Sequence, residues 1–126
     1  MPVRVYLEDT DAQGIVYYVN YLKMMERART EWLRSFGFNQ SETMVSDLIF
    51  VVHSIALKYH HSAKLDDELI IETEIESFSR VRLTFKQRVR RQKIVLCDGE
   101  IQVACIRQSD LKPVKLPESL KQQLTQ

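Results

Sequence analysis

The longest periodic pattern of apolar residues lies between positions 17 and 36. Its side chains recur at steps of three and four residues, the spacing of one face of an α-helix. They are Tyr18, Tyr21, Leu22, Met25, Ala28, Trp32 and Phe36. Lys23, Arg27 and Arg34 lie on the other side, and Gly37 stands where many helices end in a left-handed residue. The pattern predicts one amphipathic helix of about 20 residues, roughly 30 Å long.

Most of the remaining chain alternates between apolar and polar residues, as half-buried β-strands do. The alternation covers residues 3–8, 49–59, 69–76 and 81–89. In the third of these segments, one parity is apolar or β-branched and the other is mostly glutamate. These four segments are therefore predicted strands with one buried face and one solvated face.

The last predicted strand starts at Ile94 and contains a switch in parity. Its apolar residues fall on even numbers at Ile94 and Leu96 but on odd numbers from Ile101 onward. One extra residue, a β-bulge, would produce this switch, and glycine often marks such a site. We therefore expect the bulge at Asp98-Gly99. A tight hairpin turn at the same dipeptide is the alternative, but an earlier turn already separates the last two strands.

The predicted order is one strand, one long helix and four strands, followed by a short helix over 118–124. This order suggests an α+β fold in which a five-stranded antiparallel sheet wraps around a long central helix. No repeat or linker interrupts the sequence, which favours a single domain spanning 1–126. One helix leaves part of such a sheet uncovered, so we expect oligomers.

Composition places the chain among ordinary globular domains. Of its 126 residues, 44% are apolar and 28% are charged. Eighteen basic residues oppose 17 acidic ones, so the net charge gives no support for nucleic-acid binding. No apolar stretch approaches the ~18 residues of a membrane span, and no signal-peptide core follows the N-terminus. We therefore expect a cytoplasmic protein without a membrane span.

The two cysteines, Cys97 and Cys105, fit a reducing compartment. Eight residues along one extended strand span roughly 27 Å. A disulfide needs Cα atoms within about 7 Å of each other. If the two residues share a strand, the spacing predicts two free thiols, and their apolar neighbours predict that both are buried.

The chain carries a specific family resemblance. The segment 3–38, VRVYLEDTDAQGIVYYVNYLKMMERARTEWLRSFGF, closely resembles the start of hot-dog-fold acyl-CoA thioesterases of the 4-hydroxybenzoyl-CoA thioesterase type. It is still more similar to the bacterial branch associated with the Tol–Pal system. The segments KLDDELIIETEI and LKPVKLPESL also resemble that branch. The resemblance implies a hot-dog fold, a homodimer or homotetramer, an acyl-CoA substrate and no cofactor.

The resemblance also implies site residues. The catalytic carboxylate of the family corresponds to the second aspartate of D-T-D, Asp11, and the oxyanion contact is the backbone N–H at Tyr18. Much of the Tol–Pal branch has histidine where this chain has Tyr18, so only the backbone role carries over. Gly14 permits the turn between these residues, and the acyl group is expected along Tyr17 and Tyr21.

Thioester hydrolysis suits this arrangement. The carbonyl oxygen becomes negative as the thioester is attacked, and a helix N-terminus offers unpaired N–H groups and about half a positive charge. An ionised aspartate can attack the carbonyl or activate water. Thiolate leaves readily, so the reaction needs no metal. Spacing alone favours Asp11 as a residue that caps the helix without any catalytic role, and the family resemblance is what favours catalysis.

Other polar residues receive structural interpretations. Asp9 is expected to order the loop by hydrogen bonding. Some hot-dog enzymes place their base on the long helix, which makes Glu26 or Glu31 the alternative base, but in this branch both are expected to form ion pairs on the helix surface. His60 and His61 do not suggest a metal site, because neighbouring residues on a strand point to opposite faces.

The segment 80–93, RVRLTFKQRVRRQK, contains seven basic residues and no acid. The simplest interpretation is a solvated outer strand face. The alternative is a clamp for the phosphates of coenzyme A, for which arginine is well suited, with Arg80 and Arg82 as the expected contacts. RNA binding is disfavoured, because the segment has little aromatic interleaving and no recognisable module.

The sequence therefore predicts an acyl-CoA thioesterase in which Asp11 is the nucleophile or general base. The helix N-terminus at Tyr18 is the predicted oxyanion site. The alternative is a non-catalytic module of the same fold that binds an acyl group or an acyl carrier protein.

Overall fold

A computed structural model describes residues 1–38 and 47–125 of the chain. Its elements are β1 (Pro2–Arg4), α1 (Tyr18–Ser35), β2 (Leu48–Tyr59), β3 (Glu68–Phe78), β4 (Arg82–Arg91), β5 (Ile94–Arg107) and α2 (Glu118–Leu124). The strands form one antiparallel sheet in the order β1-β3-β4-β5-β2. This confirms the predicted α+β fold of one long helix with a five-stranded antiparallel sheet.

The long helix α1 begins and ends within one residue of the predicted bounds. Gly37 adopts a φ of 88°, a left-handed conformation that glycine accepts without strain. The Gly37 N–H donates to the Arg34 carbonyl at 2.9 Å, and the Phe38 N–H donates to the Leu33 carbonyl at 3.0 Å. These two bonds form a Schellman cap, so the predicted helix end is confirmed.

The buried face of α1 differs in part from the predicted stripe. Met25 and Ala28 are buried as expected, but Tyr18 is exposed and Arg29 is buried. Trp32 packs edge-on against Phe85 of β4, with ring centroids 5.3 Å apart. The helix therefore lies on the sheet with a slightly rotated face, and it carries a charged side chain into the interior.

The first strand is shorter than predicted. Residues 3–8 were expected to be extended, but β1 ends at Arg4 and a 3₁₀ turn occupies Leu7–Asp9. The Asp9 carboxylate accepts the backbone N–H of Tyr6 at 2.9 Å. This local bond offers the backbone a partner outside the sheet and ends the strand. It also confirms that Asp9 orders the loop.

β5 contains a bulge, but earlier than the sequence predicted. The register of β5 against β4 passes from Val95 directly to Cys97. Leu96 is therefore the extra residue, and Leu96 and Cys97 are both buried. The predicted position at Asp98-Gly99 was wrong, because the parity switch defines only an interval in which the bulge lies.

Gly99 is needed for a different reason. It lies within β5 opposite Leu57 of β2. A Cβ atom at this position would collide with the carbonyl oxygen of Ala56 and lie 2.6 Å from Cδ2 of Leu57. The close approach of β2 therefore requires glycine here, without any bulge at the residue itself.

Both cysteines are free thiols inside the core, as predicted. Burial raises the pKa of Cys97 to about 12 and the pKa of Cys105 to about 11. The short C-terminal helix is also confirmed: Leu120 is fully buried, and Nε2 of Gln123 donates to the Phe36 carbonyl at 3.2 Å. Among the described residues, no helix is long and apolar enough to cross a membrane.

Candidate active site

A short hairpin directly before α1 holds Asp11. Thr10 and Val16 form an isolated antiparallel bridge. Inside it, the Asp11 N–H donates to the Ile15 carbonyl at 2.9 Å and the Gly14 N–H donates to the Asp11 carbonyl at 3.0 Å. Gly14 has a φ of 78°, which favours glycine. The hairpin thus fixes the backbone of Asp11 close to the helix start, and Gly14 makes the turn possible.

The Asp11 carboxylate is anchored through one oxygen. Its Oδ1 accepts the backbone N–H of Gln13 at 2.8 Å, an Asx turn. Its Oδ2 has no hydrogen bond with any residue in 1–38 or 47–125. The side chain is exposed on the hairpin. One oxygen therefore orients the side chain, and the other is available to a substrate or a water molecule.

The N-terminus of α1 lacks a side-chain cap from the described part of the chain. Tyr17 occupies the cap position in an extended conformation, and the first turn contains no acid. The Tyr17 N–H donates to the Asp9 carbonyl, and the Asn20 N–H donates to the Tyr17 carbonyl. Tyr18 is the first helical residue, so its N–H has no intrahelical acceptor. This end of α1 offers an N–H group and a positive helix dipole to a ligand.

Four tyrosines surround this helix end. Ring centroids are 4.9 Å apart for Tyr17 and Tyr18, 6.0 Å for Tyr18 and Tyr59, and 5.9 Å for Tyr21 and Tyr59. Tyr21 is buried, and its hydroxyl accepts the Ala63 N–H at 2.9 Å. Burial raises the pKa of Tyr21 and of Tyr59. Both phenols are therefore neutral at physiological pH and act as aromatic walls.

The hairpin, the helix start and the end of β2 enclose one pocket of about 390 Å³. It is lined by Asp11, Ile15, Val16, Tyr17, Tyr18, Tyr21, Tyr59, His60, His61 and Ser62. Four predicted site residues, Asp11, Tyr17, Tyr18 and Tyr21, thus come together in one place. The fifth of the seven predicted site residues, Gly14, lies in the turn that carries Asp11.

The loop between β2 and β3 is hydrogen-bonded to the hairpin. The Val16 N–H donates to the Ala63 carbonyl at 2.8 Å. Within the loop, the Asp67 carboxylate accepts the Lys64 N–H at 2.8 Å and Nη1 of Arg91 at 2.7 Å. Burial alone would raise the pKa of Asp67, but these hydrogen bonds and the two positive charges hold that pKa below its ordinary value. Hydrogen bonds and an ion pair therefore hold the loop next to the hairpin in place.

His60 belongs to the pocket, although the sequence did not assign it there. Its Nε2 lies 3.1 Å from Oδ1 of Asp98 on β5. The two histidines were considered only as metal ligands, and no group of three metal-binding side chains occurs among residues 1–38 and 47–125. One signal was available: the histidines directly follow the last alternating residue of β2, where a strand end meets a loop.

Arg80 and Arg82 are not near the pocket of their own chain. Arg80 lies in the turn before β4, where its carbonyl accepts the Leu116 N–H. The opposite end of β4 reaches the pocket, since Nη1 of Arg91 donates to the Ser62 carbonyl. Ten residues of strand separate these ends, about 30 Å. A contact of Arg80 or Arg82 with coenzyme A remains a prediction.

The middle of the basic segment forms ion pairs on the outer face of the sheet. Arg90 contacts Glu72 at 2.9 Å, and Arg88 contacts Glu72 at 3.6 Å and Glu74 at 3.8 Å. All four side chains are partly exposed. These arginines therefore neutralise the acids of β3, as expected for a solvated strand face.

Comparison with known proteins gives a consistent picture. A family model described as thioesterase superfamily matches residues 13–97. The acyl-CoA thioesterase YbgC of Haemophilus influenzae is 44% identical over 122 residues, which cover 95% of this chain and 89% of that protein.

Solved structures agree with the sequence comparison. A hypothetical protein from Aquifex aeolicus superposes with a TM-score of 0.91 at 30% identity, covering 98% of this chain and 97% of that one. A gentisyl-coenzyme A thioesterase superposes with a TM-score of 0.89 at 26% identity, covering 96% and 98% of the two chains.

Proposed function

The chain belongs to the thioesterase superfamily and is an acyl-CoA thioesterase of the hot-dog fold, and from that premise we propose that its reaction takes place in the pocket between Asp11 and the start of α1. One observation carries this proposal. A carboxylate with a free oxygen and a helix N-terminus without a side-chain cap line the same cavity. In this proposal Asp11 is the nucleophile or general base, and the Tyr18 N–H binds the oxyanion.

The geometry supports the division of roles. The thioester carbonyl oxygen, placed at the Tyr18 N–H, gains negative charge beside the positive end of the helix dipole. Asp11 approaches the carbonyl carbon from the hairpin, either directly or through a water molecule. The carbon–sulfur bond then breaks, and the thiolate of coenzyme A leaves. No step requires a metal ion or a cofactor.

The acyl group is proposed to lie against the tyrosine wall. Tyr17 and Tyr21 were expected there, and Tyr59 completes the wall from the end of β2. The Tyr21 hydroxyl is held by Ala63, so Tyr21 presents the face of its ring. Such a wall accepts flat aromatic groups as well as alkyl chains. The gentisyl-coenzyme A thioesterase, whose name specifies an aromatic acyl group, supports testing both classes.

A second copy of the chain is proposed to pair along β2. This strand has 12 residues and forms the sheet edge, and its Val52 and Ile55 are 47% and 43% exposed. A two-fold antiparallel pairing of β2 edges would bring the Leu48 end of one copy beside the Tyr59 end of the other. Arg80 and Arg82 of one copy would then lie at the same end of the joined sheet as the pocket of the other. Light scattering that gives the mass of a monomer would contradict this part of the proposal.

The decisive experiment compares wild type with Asp11→Asn on short, long and aromatic acyl-CoAs and on acyl carrier protein thioesters. We expect kcat to fall by about 10²–10⁴-fold in the variant, because amide replaces the reacting carboxylate. Glu8→Gln is the matched control, since Glu8 is exposed on the same segment outside the pocket. It should stay within about twofold of wild type.

The same panel tests the alternative function. A non-catalytic module would bind acyl-CoA or acyl carrier protein, while wild type and Asp11→Asn would hydrolyse every substrate equally slowly. That result would overturn the proposal. Hydrolysis by wild type together with full activity of Asp11→Asn would keep the enzyme but remove Asp11 from the reaction.

A further inference from the structure

His60 and His61 directly follow β2, which ends at Tyr59. The backbone N–H groups of both residues donate to the Leu96 carbonyl, at 2.8 and 3.2 Å. They lie beyond the regular strand, so the alternation that sends neighbouring strand residues to opposite faces does not apply to them, and both line the pocket.

The His60 ring is oriented by a carboxylate. Its Nε2 lies 3.1 Å from Oδ1 of Asp98. In the tautomer that donates from Nε2 to this carboxylate, Nδ1 is the acceptor atom of the ring. His60 also lines the pocket that contains Asp11. A polarised imidazole and the proposed catalytic carboxylate therefore share one cavity.

Several ionisable groups face this pair. Asp98 lies between Lys58 of β2 and Arg88 of β4 in the registers of the two ladders. The pocket adds His61 from the same segment, Asp11 from the hairpin, Tyr17, Tyr18 and Tyr21 from α1 or its cap, and Tyr59 from β2. The His60–Asp98 pair therefore lies among both basic and acidic side chains.

We propose that His60, oriented by Asp98, is a second proton-transfer residue of this active site, an inference that rests on the proposed hydrolysis with Asp11. His60 serves the water that hydrolyses the acyl-aspartate formed when Asp11 attacks the thioester and the coenzyme A thiolate leaves. The water oxygen bonds to the acyl carbon, and its proton moves to Nδ1 of His60. The bond from the acyl carbon to Asp11 breaks, which restores the Asp11 carboxylate. The imidazolium then gives its proton to the released thiolate or to solvent, which restores the neutral ring.

The test measures kcat and KM against pH for wild type, His60→Gln and His60→Ala. We expect kcat to fall by about 10²-fold with little change in KM, because a proton acceptor is lost and binding is retained. The acid limb of the wild-type profile, in the range where histidines change charge, should disappear in both variants. Added imidazole should restore part of the rate of His60→Ala.

The orienting carboxylate is tested in parallel. Asp98→Asn should lower kcat by about tenfold and leave the protein folded, since the pair is partly exposed. Glu100→Gln is its matched control, because Glu100 lies on the same strand outside the pocket and should stay within about twofold of wild type. His60→Gln keeps a hydrogen-bond donor for Asp98, so it protects the test against a folding defect in His60→Ala.

Three outcomes would overturn the inference. If both His60 variants match wild type while Asp11→Asn is inactive, His60 has no role and the proposed function stands. If kcat falls but the acid limb persists and imidazole gives no rescue, His60 acts only as a structural residue. If wild type hydrolyses no substrate of the panel, the proposed function and this inference fail together.

Discussion

The N-terminus and the middle of α1 differ in whether their polar groups have hydrogen-bond partners. At its N-terminus, Tyr18 presents an N–H without an intrahelical acceptor, and no described side chain caps the turn. In its middle, Arg29 is 8% exposed and donates to Gln87, and Gln87 in turn donates to the Met25 carbonyl and the Thr73 hydroxyl. Burial lowers the pKa of Arg29. The polar side chains in the middle of α1 are hydrogen-bonded, whereas the backbone N–H of Tyr18 at its start has no intrahelical acceptor.

The paired groups in the middle of α1 contribute to stability, whereas the unpaired N–H at its start is available to a ligand. A buried polar group without a partner costs about 1–3 kcal/mol, and more when it is charged. The middle of α1 avoids that cost through its hydrogen-bond network. The N-terminus forgoes about 1 kcal/mol that a capping side chain would supply. In the proposed hydrolysis, the uncapped helix end binds the oxyanion and the nearby carboxylate attacks or activates water.

Among substitutions within or beside α1, the largest expected effect comes from capping its N-terminus. Tyr17→Asp places a carboxylate at the cap position, whose extended backbone suits capping. It should stabilise the protein by about 1 kcal/mol in urea unfolding. It should also lower kcat by about 10²–10³-fold, because a fixed negative charge opposes the developing oxyanion beside Tyr18. Stability and activity should therefore change in opposite directions.

Tyr17→Asn distinguishes the effect of the added negative charge from the effect of losing the Tyr17 ring. Asparagine caps nearly as well as aspartate but is neutral. It should give a similar gain in stability with a smaller loss of kcat, about tenfold. Equal losses for the two variants would show that the Tyr17 ring matters and that the helix end does not bind the oxyanion.

The second prediction concerns the hydrogen-bond network of Arg29 and Gln87 in the middle of α1. Gln87→Leu removes the acceptor of Arg29 and the donor to Met25, so a buried cation loses its only described side-chain partner. The free energy of unfolding should fall by about 3 kcal/mol. Once folded, the variant should keep the wild-type kcat, because Gln87 lies outside the pocket. Urea unfolding and steady-state kinetics on one preparation measure both quantities.

The double variant Arg29→Met with Gln87→Leu is the control for this loss. Replacing both polar partners with apolar side chains removes the unpaired charge and should recover most of the stability. If the double variant is no more stable than Gln87→Leu, lost packing explains the defect and the hydrogen-bond network does not.

The sequence indicated candidate residues at the N-terminus of α1, but it did not indicate the hydrogen-bond network in the middle of the helix. The family motif pointed to Asp11 and Tyr18, and helical periodicity located the long helix. The burial of Arg29 was missed because its partner Gln87 is 58 residues away, and no local pattern connects them. The contact of His60 with Asp98 was missed for a related reason: the two residues are 38 positions apart, and only the pairing of β2 with β5 brings them together.

The smallest expected effect concerns a carboxylate near the pocket that is paired. Asp67 accepts hydrogen bonds from Lys64 and Arg91, and its pKa lies below the ordinary value of 3.8. A lowered carboxylate pKa stabilises the folded state above the unfolded pKa, and this contribution is lost as pH falls through the folded pKa. The difference in unfolding free energy between wild type and Asp67→Asn should be about 1 kcal/mol at pH 7. It should vanish when the pH falls well below 3.8.

The activity of Asp67→Asn tests whether a carboxylate that is close to the pocket but paired with Arg91 contributes to catalysis. Asp67 and Asp11 are carboxylates on adjoining loops, joined by the bond from Val16 to Ala63. They differ in their partners and position: Asp67 pairs with Arg91 and does not line the pocket, whereas Asp11 accepts only the Gln13 N–H among the described residues and lines the pocket. Asp67→Asn should therefore change kcat by no more than about threefold. A loss comparable to that of Asp11→Asn would show that a carboxylate paired with a cation outside the pocket matters as much for hydrolysis as the one that lines it.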